Sequence, residues 1–304
     1  MSEDPHTSDA PFAQPRSSNW GARALIALGV ILTLIFILAP LLIIFEQAFR
    51  KGLDYYIASI LHKETLQAIW LTVLTSLFVV PLNLLFGLTA AWAITKFEFR
   101  GKKLLLTAID IPFSVSPIVA GVCYLLLYGA QGLLGPWLVE HDIRVMFSVP
   151  AIILVCLFVT SPFVARELIP LMQVQGRDQE EVAATLGASG WQIFRRVTLP
   201  NIKWALLYGA LLCNARVMGE FGAVSVVSGN VRGQTNTLPL QIQLLYHDYN
   251  ATGAFAAATV LTLLAVVTLV LKAILERRTA GRNRLLAQTA VDKLVDSAKP
   301  SLIP

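Results

Sequence analysis

Charge is scarce in this chain. Asp, Glu, Lys and Arg make up 14% of its 304 residues, against about a quarter in an ordinary soluble domain. That shortfall excludes a disordered, fibrous or nucleic-acid-binding protein and makes a water-soluble enzyme a poor fit. Cysteine is scarce too. Cys123, Cys156 and Cys213 all fall in apolar stretches with no close pair, which excludes a disulfide framework and predicts small, reduced core residues. The four histidines, His6, His62, His141 and His247, show no metal-ligand spacing and read as surface residues. No phosphate-binding G-x-x-x-x-G-K-[ST] loop, G-x-S-x-G elbow or Ser–His pairing occurs, so the chain lacks the residues for nucleotide binding or nucleophilic catalysis. Strand-like alternation and internal repeats are missing as well.

What is abundant is apolar length. Hydrophobic residues make up 56% of the chain and the mean hydropathy is +0.66, values of a helical integral membrane protein. Ala24 to Phe45, Thr65 to Thr95, Val145 to Ala165 and Tyr249 to Leu271 are free of charge. Each is long enough at ~1.5 Å per residue to cross a hydrocarbon core of ~30 Å. Two further stretches carry charges inside them: Leu104 to Tyr128 contains Asp110, and Trp204 to Val227 contains Arg216 and Glu220. The expectation is therefore an all-α membrane protein with six spans, at about 24–45, 67–95, 104–128, 145–165, 204–227 and 249–271. The first run is too long for a signal-peptide core and follows about twenty polar residues.

Net charge is +5, and its placement reads as topology. With the N-terminus inside, eighteen of the 24 Lys and Arg fall on the inner side, five on the outer side, and Arg216 in a span. Both termini are then cytoplasmic. Residues 1–21, rich in Ser, Pro and Asp, read as a disordered cytoplasmic tail, 22–278 as the membrane domain, and 279–304 as a polar cytoplasmic tail.

The longest inner loop, 167–203, has its own logic. Asp178 is a good N-cap and Glu181 completes a capping box. Gln179 to Leu186 are mostly helix formers, with Glu180 and Glu181 at the positive helix end. Gly187 is suited to the left-handed stop. Ser189 can cap a second helix from Trp191 to Arg196, closed off before Pro200. By itself this is either an interfacial hairpin or a docking loop. The spacing E-x-A-x-x-x-G, nine residues, then a β-branched residue, any residue and Leu-Pro occurs here as Glu181, Ala183, Gly187, Val197, Leu199 and Pro200. It resembles the signature loop of permease subunits of ABC-type importers, departing from that family's usual residues at Val182 and Val197 only by small apolar changes. The run from Val217 to Gly229, with Asn214 to Arg216 before it and Leu238 to Ile242 after it, is similar to the oxyanion branch, in particular to the second membrane subunit of bacterial sulfate/thiosulfate importers.

The resemblance covers about Ala22 to Arg278. It implies a type I importer permease fold in a bacterial inner membrane and a heteromeric assembly. The implied partners are a homologous second permease, two ATPase subunits that bind the ATP and Mg, and a periplasmic sulfate-binding protein. This chain would carry no cofactor. It also implies that Glu180, Glu181, Ala183, Gly187, Leu199 and Pro200 form the surface that couples to the ATPase. Molybdate or tungstate import is the nearest alternative; an intramembrane enzyme and a passive anion channel are rivals from other classes.

Two membrane segments then stand out. Arg216 and Glu220 are four positions apart and can pair on one helix face; an unpaired charge there would be costly. They either form a structural pair or line the anion path. Asp110, Pro112, Ser114, Ser116 and Pro117 interrupt the third span. Prolines free backbone groups, and a dehydrated sulfate needs neutral donors such as the Ser114 and Ser116 hydroxyls. A packing kink with back-bonded serines is the other reading. Gly222, beside Gly219 and Ala223, points to a close helix approach.

Overall fold

A computed structural model describes residues 20–298, with side chains to Ile274. The expected N-terminal tail lies outside the described residues up to position 19. The chain divides into two units at Glu46 and Gln47. The first unit holds most of helix α1 (Trp20–Phe49), which has a π turn at Leu34–Leu38. The second contains α2 (Leu53–Leu61), α3 (Lys63–Lys96), α4 (Lys102–Ser114), α5 (Pro117–Tyr128) and α6 (Gly135–Glu140), followed by α7 (Val149–Gln175), α8 (Asp178–Thr185) and α9 (Gly190–Ile193). A π turn at Phe194–Thr198 joins α9 to α10 (Leu199–Met218). The chain ends in α11 (Gly222–Val227), α12 (Leu238–His247) and α13 (Ala251–Ala298).

Among the described residues, four helices are long and apolar enough to cross a bilayer: α1, α3, α7 and the stretch Ala251–Ile274 of α13. The α4–α5 pair would make a fifth if it counts as one span, but it bends by 107°. Two expectations are corrected here. The third span is no straight helix with a kink, because the chain turns through more than a right angle at Val115–Ser116. The fifth, expected from Trp204 to Val227, begins at Leu199 and breaks after Met218. Pro112 and Pro117 account for the first break, and Gly219, which favours helix ends, for the second.

The core of the second unit is laid around α7. Val164 sits in a notch made by two glycines from flanking helices. A Cβ on Gly87 of α3 would lie 2.6 Å from Val164 Cβ and 2.9 Å from the Ala165 nitrogen. A Cβ on Gly209 of α10 would lie 3.3 Å from Val164 Cα. Such close approach is how helices associate where lipid tails are as apolar as leucine. Ile152, Val155, Leu168 and Ile202 are fully buried around this seam.

Polar side chains thread the same bundle. Asn83 of α3 donates to Thr160 Oγ1 of α7 at 2.7 Å and to Cys213 Sγ of α10 at 3.6 Å. Asn214 of α10 pairs with Ser76 of α3 and donates to Thr268 of α13 at 3.5 Å. Cys156 and Cys213 are buried and reduced as expected, but Cys123 is exposed on α5, since its apolar neighbours do not all face inward. His62, His141 and His247 are exposed, and His6 lies outside the described residues.

Both π turns end two residues before a proline, Pro40 or Pro200. A proline in an α-helix clashes with the carbonyl four residues back, and in each case that carbonyl belongs to the π turn. In the second turn, the Leu199 N–H instead reaches Phe194 O. The expectation that the loop helix stops before Pro200 is therefore wrong; the helix widens and runs on.

The glycine notch predicts an asymmetric outcome. Gly87→Leu should destabilise the detergent-solubilised protein by about 1–3 kcal/mol through overpacking against the α7 backbone. Gly29→Leu, where a Cβ meets nothing within 4 Å, should be tolerated. Thermal unfolding followed by size-exclusion chromatography checks the pair.

Candidate functional site

Helix α8 lies between two glycines at positive φ, Gly176 at +66° and Gly187 at +84°. Gly187 ends the helix as expected. Its N–H donates to Ala184 O at 3.0 Å and the next N–H, of Ala188, to Ala183 O at 3.1 Å, the double closure of a Schellman motif. A Cβ on Gly187 would meet nothing within 4 Å, so glycine serves backbone conformation here rather than space. The capping expectation needs correction. Arg177, not Asp178, holds the N-cap position, and no side chain caps the helix. Asp178, Glu180 and Glu181 occupy the first turn, where the helix dipole favours them. The capping box stands one helix later: Ser189 accepts from Gln192 N–H at 3.4 Å, and Ser189 N–H donates to Gln192 Oε1 at 2.8 Å.

The outer face of this loop is apolar. Val182 is 59% exposed, Leu186 82% and Trp191 68%. Exposed apolar side chains on a loop form a candidate contact surface. Ala183 is half-buried, and Ala184 and Glu181 are exposed beside them.

Glu180 faces the other way. Its Oε2 lies 2.7 Å from Lys96 Nζ, and its Oε1 accepts from Thr198 Oγ1 at 2.7 Å. Lys96 Nζ also donates to Gly176 O at 2.6 Å. Arg177 donates to Thr95 O at 3.3 Å and faces Glu98 at 3.6 Å. Glu98 also accepts from Lys102 at 2.9 Å, and that hydrogen bond, with the Lys102 charge, holds the Glu98 carboxyl below its usual range. Asn201 of α10 donates to Gln179 at 2.7 Å. The sequence reading grouped Glu180 with Glu181 as a charge offered outward; the structure separates them. Leu199 closes the π turn and Pro200 sits in the first turn of α10, both next to Thr198.

The second cluster is built where two helix breaks meet. A Cβ on Gly222, the first residue of α11, would lie 3.2 Å from Pro117 Cβ and 3.3 Å from Ile118 Cγ1. A Cβ on Gly121 would lie 2.9 Å from Ala223 O and from Val226 Cβ. The start of α5 and the short α11 are thus held face to face, which brings the Val115–Ser116 turn beside the Gly219–Phe221 break. Ser114 and Ser116 are exposed. Among the described residues neither hydroxyl has a partner, so neither is back-bonded to its helix. Asp110 is paired with Arg166 at 2.9 Å, and the Arg166 guanidinium lies over the Phe113 ring, 4.1 Å from its centre.

Arg216 and Glu220 pair within the chain: Nη1 lies 2.7 Å from Oε2. The contact is close in charge but not aligned as a hydrogen bond, for Oε2 is buried without one. The other oxygen, Oε1, accepts from Ala223 N–H at 3.0 Å. Glu220, 1% exposed, therefore joins the end of α10 to the start of α11, while Arg216 keeps 34% of its side chain exposed. Among the described residues, no three His, Cys, Asp or Glu side chains gather as a metal site.

The contacts that Lys96, Arg177 and Thr198 make around Glu180 and the start of α8 were not anticipated. A signal existed for one of them, since Lys96 is the first charge after thirty-one uncharged residues and stands at a helix C-terminus, where a cation is favoured. Thr198 gave none.

Comparison with known proteins places this geometry. Residues 83–281 match the family described as "Binding-protein-dependent transport system inner membrane component". The chain is 55% identical to the sulfate transport system permease protein CysW of Escherichia coli K12, over 90% of this chain and 94% of that one. It is 52% identical to the protein of the same name from Synechocystis, over 84% and 92%. Identity to the sulfate transport system permease protein CysT of Escherichia coli K12 is 35%, over 77% and 86%. In fold it resembles a crystallised bacterial ABC transporter involved in the import of the acidic polysaccharide alginate. The TM-score is 0.71 at 18% identity, covering 86% of this chain and 96% of that one. The chain belongs to the family of binding-protein-dependent transport system inner membrane components.

Proposed function

We propose that this chain is a permease subunit of an ATP-driven importer that carries sulfate, and thiosulfate with it, across a bacterial inner membrane into the cytoplasm. The observation that carries the substrate is the 55% identity, over nearly the whole length, to a permease named for sulfate transport. The relatives described above are named for sulfate, which leaves the molybdate or tungstate alternative without support. The chain is not itself an enzyme; ATP hydrolysis belongs to a separate subunit. In this reading the complex holds a homologous second permease, two ATPase subunits that bind ATP and Mg, and a periplasmic sulfate-binding protein. Six membrane passages with both termini cytoplasmic fit the distribution of Lys and Arg, with α4–α5 and α10–α11 as broken passages. A broken passage is tolerated where it lines a cavity.

The motion follows from the two clusters. Val182, Ala183, Ala184, Leu186 and Trp191 offer an apolar face to the ATPase, with Glu181 as the charge beside it. Closure of the ATPase dimer pushes α8, and the spans rock between outward and inward access. At the breaks, Ser114 and Ser116 supply neutral donors suited to a dehydrated dianion. Arg216 is neutralised by Glu220 beside these breaks, and the pair either holds α10 to α11 or lines the anion path.

Expressed in a bacterium lacking its own sulfate permease of this type, together with its cognate subunits, the chain should restore growth on sulfate as sole sulfur source and uptake of labelled sulfate. Uptake of molybdate without sulfate would overturn the substrate.

Gly187→Val forces a β-branched residue into the left-handed region, at a cost of about 1–2 kcal/mol or more. It should abolish uptake, as should Glu181→Lys, while membrane insertion is retained. Normal substrate-stimulated ATP hydrolysis and uptake in the purified variant complexes would remove the docking role.

Arg216→Met leaves a buried carboxylate unpaired, costing about 3–5 kcal/mol, and should reduce the yield of assembled complex. Adding Glu220→Gln should restore yield, because its side-chain carbonyl can still accept from Ala223 N–H. If the restored complex transports sulfate, the pair is structural; an assembled complex with no uptake assigns the Arg216 charge to the anion.

A further inference from the structure

Helix α8 is covalently joined to its neighbours through glycine turns at both ends, Gly176 and Gly187, each at positive φ. Glycine imposes no steric bar to rotation, so a push on α8 would be absorbed at these two hinges unless something else holds the helix. What holds it is a three-way contact. The Glu180 carboxylate is gripped on one oxygen by Lys96, at the end of α3, and on the other by Thr198, in the π turn that leads into α10. Lys96 simultaneously takes the Gly176 carbonyl at the hinge itself. The ion pair is largely sheltered, with side chains 10% and 18% exposed, and Thr198 is buried. Beside Glu180 in the first turn of α8, Gln179 accepts from Asn201 in the first turn of α10.

We propose that Lys96, Glu180 and Thr198 are positioning residues that make α8 a rigid lever: they deliver its displacement to α3 and α10 together instead of letting it pivot on Gly176 and Gly187. The contact joins the coupling helix, at Glu180, to the end of a span 84 positions earlier in sequence and to the one that follows it. Both spans pack against α7, so one displacement reaches the bundle from two sides. Lys96 can hold two acceptors because an ammonium has three donors and no fixed plane. Glu180 can hold two donors because its oxygens diverge. Methionine, glutamine or valine at the three positions keeps bulk: methionine loses both Lys96 contacts, glutamine the charge that pairs with Lys96, and valine the hydroxyl that donates to Glu180. This inference rests on the transporter reading given above.

The test uses the whole complex in liposomes, carrying Lys96→Met, Glu180→Gln or Thr198→Val, and the exchange that combines Lys96→Glu with Glu180→Lys. Complex yield and basal ATP hydrolysis should stay within about twofold of the parent. Sulfate taken up per ATP hydrolysed should fall by about tenfold in Lys96→Met and Glu180→Gln, within the range that coupling between sites spans. It should fall less in Thr198→Val, and recover in the exchange variant. A contact that merely stabilised the loop would lower yield and leave the ratio unchanged.

A second readout needs no transport. With the exposed Cys123 replaced by serine, spin labels at Val182 and Glu98 should keep one narrow distance when nucleotide traps the complex, and a broad distribution once Lys96 or Glu180 is altered. A parent complex that moves no sulfate would fail the functional reading, yet the label distances would still decide the lever. Unchanged uptake per ATP, or equally narrow distances with and without the contact, would overturn it.

Discussion

Hydrocarbon offers no hydrogen bonds, so any backbone group left unpaired by a helix break must be met by protein. Among the described residues, the breaks at Val115–Ser116 and at Gly219–Phe221 are set against each other, an arrangement that meets this constraint where both lie in the membrane. Pro117 and Ile118 press on Gly222, Ala223 O lies over Gly121, and the Glu220 carboxylate takes the Ala223 N–H. A side chain at 121 would force the Ala223 carbonyl and Val226 apart from α5, and one at 222 would press tightly on Pro117 and Ile118. The charged pair belongs to the same solution, since Glu220 is buried at the break and Arg216 lies against it from four residues earlier.

Around that pair of breaks, packing of small residues and a few polar contacts hold the bundle. Val164 wedged between Gly87 and Gly209 sets the distance of α7 from α3 and α10, and Asn83 and Asn214 fix how those helices slide. The two devices divide the labour. Close packing governs separation, where a single methyl group is felt. Side-chain amides govern register, because a donor displaced by a turn loses its acceptor with no water to replace it.

Much of the architecture was legible because periodic apolar length is a strong signal, and the loop at 176–187 was legible because its glycine and acids have local reasons to be there. Gly187 took its left-handed conformation, and Ser189 its capping box, from nearest-neighbour chemistry alone. Asp178 lost the cap position to Arg177 for a reason no local rule carries: Arg177 is drawn to the Thr95 carbonyl and the Glu98 carboxylate, both distant in sequence. Glu180 was grouped with Glu181 on what the resemblance implies, and helix propensity does not say which acid faces the bundle. The Gly219–Phe221 break was read as continuous helix, since Glu220 at four residues from Arg216 satisfies helical spacing whether or not the helix continues. Pro200 was taken as a stop because the π turn that accommodates it leaves no mark in composition.

That π turn has an effect beyond easing a proline. It places one residue more between α9 and α10 than an α-helix would, and each residue turns the helix by about 100°. Upstream of Phe194 the helix is oriented by the loop, with Trp191 outward; downstream it is oriented by the bundle, with Gly209, Cys213 and Val217 toward α7 and its neighbours. The extra residue lets the two orientations be set independently on one continuous rod. A chain of the same composition shortened by one residue between Phe194 and Thr198 would keep both surfaces but aim them at different azimuths, presenting the loop face about a quarter-turn out of phase with the bundle face.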